Sequence, residues 1–123
     1  MDKTTFVVYT FTVEGMHRWI DAPEKYEYLR AAHHHYFVFT IEVEVRHDDR
    51  EIEIIEAAQD GKRAMEACFG CGAFSIASCE QIAKAALNAL VPPDRQCTVT
   101  VLEDGIQGAK VVLTKGGETC LVT

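Results

Sequence analysis

The run His33-His34-His35-Tyr36-Phe37-Val38-Phe39-Thr40-Ile41-Glu42-Val43 carries the period of a β-strand. Successive side chains of a strand point to opposite faces. Phe37, Phe39, Ile41 and Val43 therefore define one face, and Val38, Thr40 and Glu42 the other. The same rule puts His33 and His35 on a common face and turns His34 away. Two imidazoles about 7 Å apart along one strand can converge on a single metal ion if a third ligand comes from elsewhere. The best candidate is His17, at the end of the preceding strand-like run.

Working outward, residues 5–14 are rich in Thr, Val, Phe and Tyr and read as a first strand. Gly15 permits a bend before His17. Asp21-Ala22-Pro23-Glu24 has the composition of a helix start, with Asp21 as cap and Pro23 in the first turn. The second strand is expected over residues 35–46, followed by a polar turn at His47-Asp48-Asp49-Arg50. Residues 51–55 alternate again and suggest a short strand. A helical pattern covers residues 56–69, with Asp60-Gly61 as a point of interruption and Gly70 and Gly72 as its end.

Ser78-Cys79-Glu80-Gln81 opens the clearest helix: Ser78 and Gln81 have the spacing of a capping box. Ile82, Ala85, Ala86, Ala89 and Leu90 make its apolar stripe, and Pro92-Pro93 stops it. Strands follow at residues 97–103 and 109–113. Lys115-Gly116-Gly117 reads as a turn and residues 118–123 as a terminal edge strand. Strand, strand, helix, helix, strand, strand is an α+β order with antiparallel pairing.

The chain has 123 residues, enough for one domain spanning residues 1–123. At 48% hydrophobic and 25% charged residues it has an ordinary globular composition. A net charge of -7 argues against a nucleic-acid or anionic-membrane surface. No apolar run reaches the length of a membrane span. The five cysteines are an odd number without an export signal, so we expect reduced thiols and a cytoplasmic location.

Three blocks of the chain, in order, resemble the tunnelling (T-fold) family of 6-pyruvoyl- and 6-carboxy-tetrahydropterin synthases. Phe11-Thr12-Val13-Glu14-Gly15-Met16-His17-Arg18-Trp19 is similar to that family's F-x-F-x-A-A-H-x-L. His33-His34-His35-Tyr36 is similar to its H-G-H-N-Y, and Ala77-Ser78-Cys79-Glu80-Gln81-Ile82-Ala83 to its P-T-S-E-N-L-A. Val99-Thr100-Val101-Leu102 then leads into Glu103, where the family has an anchoring acid.

The resemblance implies a four-stranded antiparallel sheet with two helices on one face (ββααββ). It implies association of subunits into a barrel, usually a hexamer of two stacked trimers. It implies zinc on His17, His33 and His35, and a small-molecule pterin or purine-like ligand held by Glu103, with Ser78 in the substrate-binding block. Three neutral imidazoles leave zinc an open fourth position, from which it can polarise an oxygen. A carboxylate can take two hydrogen bonds from an amidine-like ring edge.

The chain departs from the family pattern at its acid–base groups. Leu29 stands where catalytic members have a Cys, four residues before the first His of the H-x-H, and Leu cannot take a proton. The region Phe69-Gly70-Cys71-Gly72-Ala73-Phe74 lacks the family's D-H motif. Glu27, Cys71, Cys79, His34 and the His47-Asp48 pair are the candidates to replace these groups, and spacing does not select among them. A zinc-dependent enzyme of the tetrahydropterin synthase kind with a non-standard substrate is one expectation. A non-catalytic protein that binds or sequesters a pterin, guanine-like or nucleotide ligand is the other. Cys68-Phe69-Gly70-Cys71 has CxxC spacing at an expected helix end, where incidental thiols are the expectation.

Overall fold

The alternation in the quoted run is realised in full: Phe37, Phe39, Ile41 and Val43 are buried, while Val38, Thr40 and Glu42 stay half-exposed. The computed structural model describes residues 3–114. Strand β1 (Thr5–His17) is followed by a short 3-10 helix (Glu24–Leu29) and strand β2 (His33–Val45). Helices α1 (Ile54–Gly70) and α2 (Cys79–Leu90) come next, then strands β3 (Cys97–Glu103) and β4 (Gln107–Leu113). The sheet has the order β1-β2-β3-β4, with every neighbour antiparallel. This is the expected α+β, ββααββ arrangement. The expected turn at 115–117 and edge strand at 118–123 lie outside the described residues.

Both helices lie on the face carrying the quoted aromatics, α1 over β1 and α2 over β3 and β4. Phe11, Phe39, Ile41, Met65, Ile82, Ala86, Val99 and Val101 form one core between the layers. Ser78 caps α2 in a complete capping box with Gln81, and the helix ends at Leu90, before the proline pair. No helix among the described residues is long and apolar enough to cross a membrane.

Four local expectations are corrected. Strand β1 does not bend at Gly15 but stays paired to His17, opposite His33. Gly15 instead makes room: a Cβ there would lie 2.4 Å from the Phe69 ring. Residues 51–55 form no strand; Glu53 accepts from the Glu56 N–H and starts α1 at Ile54. Gly61 does not interrupt α1, because it sits where a Cβ would meet the Phe11 ring at 2.6 Å, so the helix gains close packing on β1 there. Asp21 caps nothing; Pro23 precedes a 3-10 helix rather than an α-helix.

Candidate metal centre

Antiparallel pairing of β1 with β2 puts His17 directly opposite His33, with Gly15 opposite His35. Pairing of β2 with β3 puts Glu103 opposite Phe37, two residues along from His35 on the same face. Three strand ends thus deliver His17, His33, His35 and Glu103 to one corner of the sheet. One ligand atom from each lies within 4.8 Å of all the others. The imidazole ring centroids stand 4.6 Å (His17–His33), 5.4 Å (His17–His35) and 5.0 Å (His33–His35) apart, all edge to face. Below them, Phe37 meets His17 edge-on at 5.2 Å and stacks on Phe69 at 4.8 Å, which makes an apolar floor.

Each imidazole has its tautomer fixed in the same sense. His17 Nδ1 donates to the Ala77 carbonyl at 2.8 Å, and His33 Nδ1 to the Ala31 carbonyl at 3.0 Å. His35 Nδ1 donates to Asp104 Oδ2 at 2.7 Å. Carbonyl and carboxylate oxygens only accept, so each Nδ1 carries a proton, and in the neutral ring Nε2 is the atom left to bind a metal. An Nδ1–H held by a carbonyl or carboxylate is the outer-shell arrangement that orients metal-binding histidines. Asp104 is itself fixed, with its Oδ1 accepting from the Tyr36 N–H at 2.9 Å. That backbone bond first, and His35 second, hold its carboxyl below the usual carboxylate range.

One buried atom of the group lacks a hydrogen-bond partner. His17 is only 7% exposed, and its Nε2 has no hydrogen-bond partner. Glu103 Oε2 lies 2.9 Å from it without hydrogen-bond geometry, and in the neutral Nδ1–H ring this contact sets two lone-pair atoms face to face. Glu103 Oε1 stands 3.7 Å from His35 Nε2. A buried acceptor left unpaired costs about 1–3 kcal/mol, and a cation between these atoms removes that cost. The residues fit such a group: imidazole nitrogens and a carboxylate are the donor set of zinc and of related divalent ions. This His/Glu group can hold a metal ion, and it is the one such cluster among the described residues.

The other expected site residues are placed as follows. Cys79 is buried at the first turn of α2, and its Sγ donates to Glu103 Oε2 at 3.5 Å. Burial first, and the Glu103 charge second, push its thiol up to about 12. Cys79 is therefore a neutral donor to Glu103 and not a thiolate nucleophile. Ser78 is adjacent, but its hydroxyl oxygen accepts from the Gln81 N–H at 3.1 Å. Cys71 is exposed just beyond α1, and its Sγ donates to the Cys68 carbonyl at 3.5 Å. Glu27 is exposed on the 3-10 helix and is not part of the metal-binding group. His34 turns away as expected and pairs with Glu14 at 2.7 Å. His47 stays in its turn, where Nδ1 accepts from the Asp49 N–H at 3.2 Å.

Asp104, Ala31 and Ala77 are the functional partners that sequence reasoning missed. An acid directly after Glu103 was a visible signal for Asp104, but its link to His35 spans 69 positions and depends on strand register. The carbonyls of Ala31 and Ala77 have no side-chain signature. Compared with models of known protein families and with curated proteins, the chain matches none.

Proposed function

We propose that this chain is a zinc-binding protein of the T-fold kind, similar to the tetrahydropterin synthases. On this reading it handles a pterin or related purine-like ring beside the metal. The single observation that carries the proposal is the common arrangement of His17, His33 and His35, each with Nδ1–H tied to a protein oxygen and one ligand atom of each within 4.8 Å of the others. Bound zinc would supply a Lewis acid for oxygens of the ligand. This chain's own residues would do the rest. Phe37 and Phe69 keep water from the underside of the histidines. Glu103 is the acid able to accept from the ring's amidine-like edge. Two sheet edges, β1 with 13 residues and β4 with 7, support association of subunits edge to edge.

Elemental analysis of purified protein tests the metal: about one zinc per chain is expected, with loss in His33→Ala. Product mass after incubation with dihydroneopterin triphosphate tests the family's standard reaction. Light scattering tests association into a hexamer.

A second reading, ring binding without catalysis, is favoured by the state of the acid–base candidates. Cys79 holds its proton, Leu29 replaces the expected Cys, and Cys71 and Glu27 stand exposed outside the metal-binding group. Mass spectrometry of compounds co-purifying with the native protein separates the two. A pterin or guanine compound retained by the wild type without turnover, and lost in Glu103→Ala, marks a binder.

A further inference from the structure

We infer that Glu103 is the fourth protein ligand of the resting metal centre, so that the bound cation has no open position until this carboxylate is displaced. The inference rests on the metal reading above and adds to the ring-accepting role proposed for Glu103: the same carboxylate closes the metal while no ring is bound.

Two independent features of the structure carry it. The first is position. Glu103 is fixed at the end of β3, opposite Phe37, so its side chain rises on the histidine face. Its Oε2 sits 2.9 Å from the unpartnered Nε2 of His17, and its Oε1 sits 3.7 Å from His35 Nε2. A carboxylate that only gripped a ring would have no reason to crowd the lone pairs that bind the metal. The second is charge compensation. The Glu103 side chain is only 20% exposed, and its ion-pair partners among the described residues are His17 and His35 alone, which carry charge only when doubly protonated. Its protein donor is the neutral Cys79 thiol at 3.5 Å, a weak one. A half-buried carboxylate without a cation is costly, and a divalent ion held by the three imidazoles supplies the missing charge. Four protein ligands make a closed centre, whereas a catalytic zinc keeps an open position. An open position then appears only when another group takes the carboxylate's oxygens, which couples ligand capture to exposure of the metal.

The test uses the full chain loaded with cobalt(II), whose visible absorption reports coordination number and ligand type, and azide as a probe of an open position. The wild type is expected to bind about one cobalt per chain and show the intense bands of a four-coordinate ion, unmoved by azide. Glu103→Gln keeps the side-chain shape but is a poor ligand. It is expected to retain cobalt on the three histidines, shift the bands and respond to azide with a saturable change. Glu103→Ala is the second variant, with the same expectation, and circular dichroism checks that each is folded. Identical spectra and identical azide responses in wild type and variants overturn the inference. Azide-sensitive bands in the wild type overturn it too, while leaving the three-histidine centre intact. A wild type that takes up no cobalt overturns the metal reading itself, and the inference with it.

Discussion

The two ends of the same sheet solve opposite problems. At the end where β2 leaves the sheet, Arg95 is 8% exposed and donates to Glu51 Oε2 at 2.8 Å and to the Glu44 carbonyl at 3.3 Å. Arg46 beside it pairs with Asp94 at 2.9 Å. There the protein supplies its own cations. At the other end, about 35 Å away along β2, His17, His33, His35 and Glu103 bring together possible metal ligands with no Lys or Arg in the group. The unpartnered buried atom at the arginine end is a donor, Arg95 Nε, with Asp94 Oδ1 at 3.7 Å; at the histidine end it is an acceptor, His17 Nε2. A fold that pairs its buried charge at one end and leaves lone pairs converging at the other has left room for an external cation.

The largest expected effect is on the histidine end. His33→Ala should abolish stoichiometric zinc, as measured by elemental analysis. Chelation of the wild type should lower its stability by about 4 kcal/mol relative to protein in zinc at a thousandfold excess over Kd, as measured by denaturant unfolding. Equal unfolding with and without metal would break the contrast. Asp104→Ala should come next, weakening zinc binding by roughly 10–100-fold through loss of the acceptor that orients His35, as measured by competition with a chromogenic chelator.

Arg95→Met should leave zinc content untouched and lower the melting temperature by several degrees, which sharpens the separation of the two ends. Its pH dependence carries a sign. Glu51 is held below its ordinary value of 4.5, by the Arg46 backbone N–H first and Arg95 second. A depressed carboxylate stabilises the fold above its unfolded pKa and loses that contribution as pH falls through the lower folded value. Wild type should therefore lose stability more steeply below about pH 4.5 than Arg95→Met does. The smallest effect concerns thiols. At pH 8, iodoacetamide should label exposed Cys71 well before buried Cys79, whose pKa of about 12 and Cys97, at about 11, keep them protonated. Peptide mass mapping reads the order.

Much of the candidate metal centre was legible because its signal is local. His33 and His35 are two residues apart on a strand whose alternation is uninterrupted for 13 residues, so their shared face follows from backbone geometry. The core aromatics Phe37 and Phe39 follow by the same rule. The capping box at Ser78 was legible because both of its partners lie within one turn. Expectations failed where packing overrode propensity. Gly61 and Gly15 read as breaks, yet each is the place where an aromatic ring needs the volume a Cβ would fill. Residues 51–55 alternate like a strand, but the Glu53 cap draws their end into α1.

The order of elements, the buried face of β2 and the shared face of His33 and His35 follow from local sequence, because period and capping act over a few residues. The folded chain, and no local pattern, places Glu103 among the imidazoles, makes Cys79 its donor, and sets Asp104 and two backbone carbonyls against the histidine Nδ1 atoms. Apart from the Ala31–His33 bond, those relations join residues 24 to 86 positions apart. They depend on strand register and helix placement, which come from burial across the whole sheet and not from any local pattern.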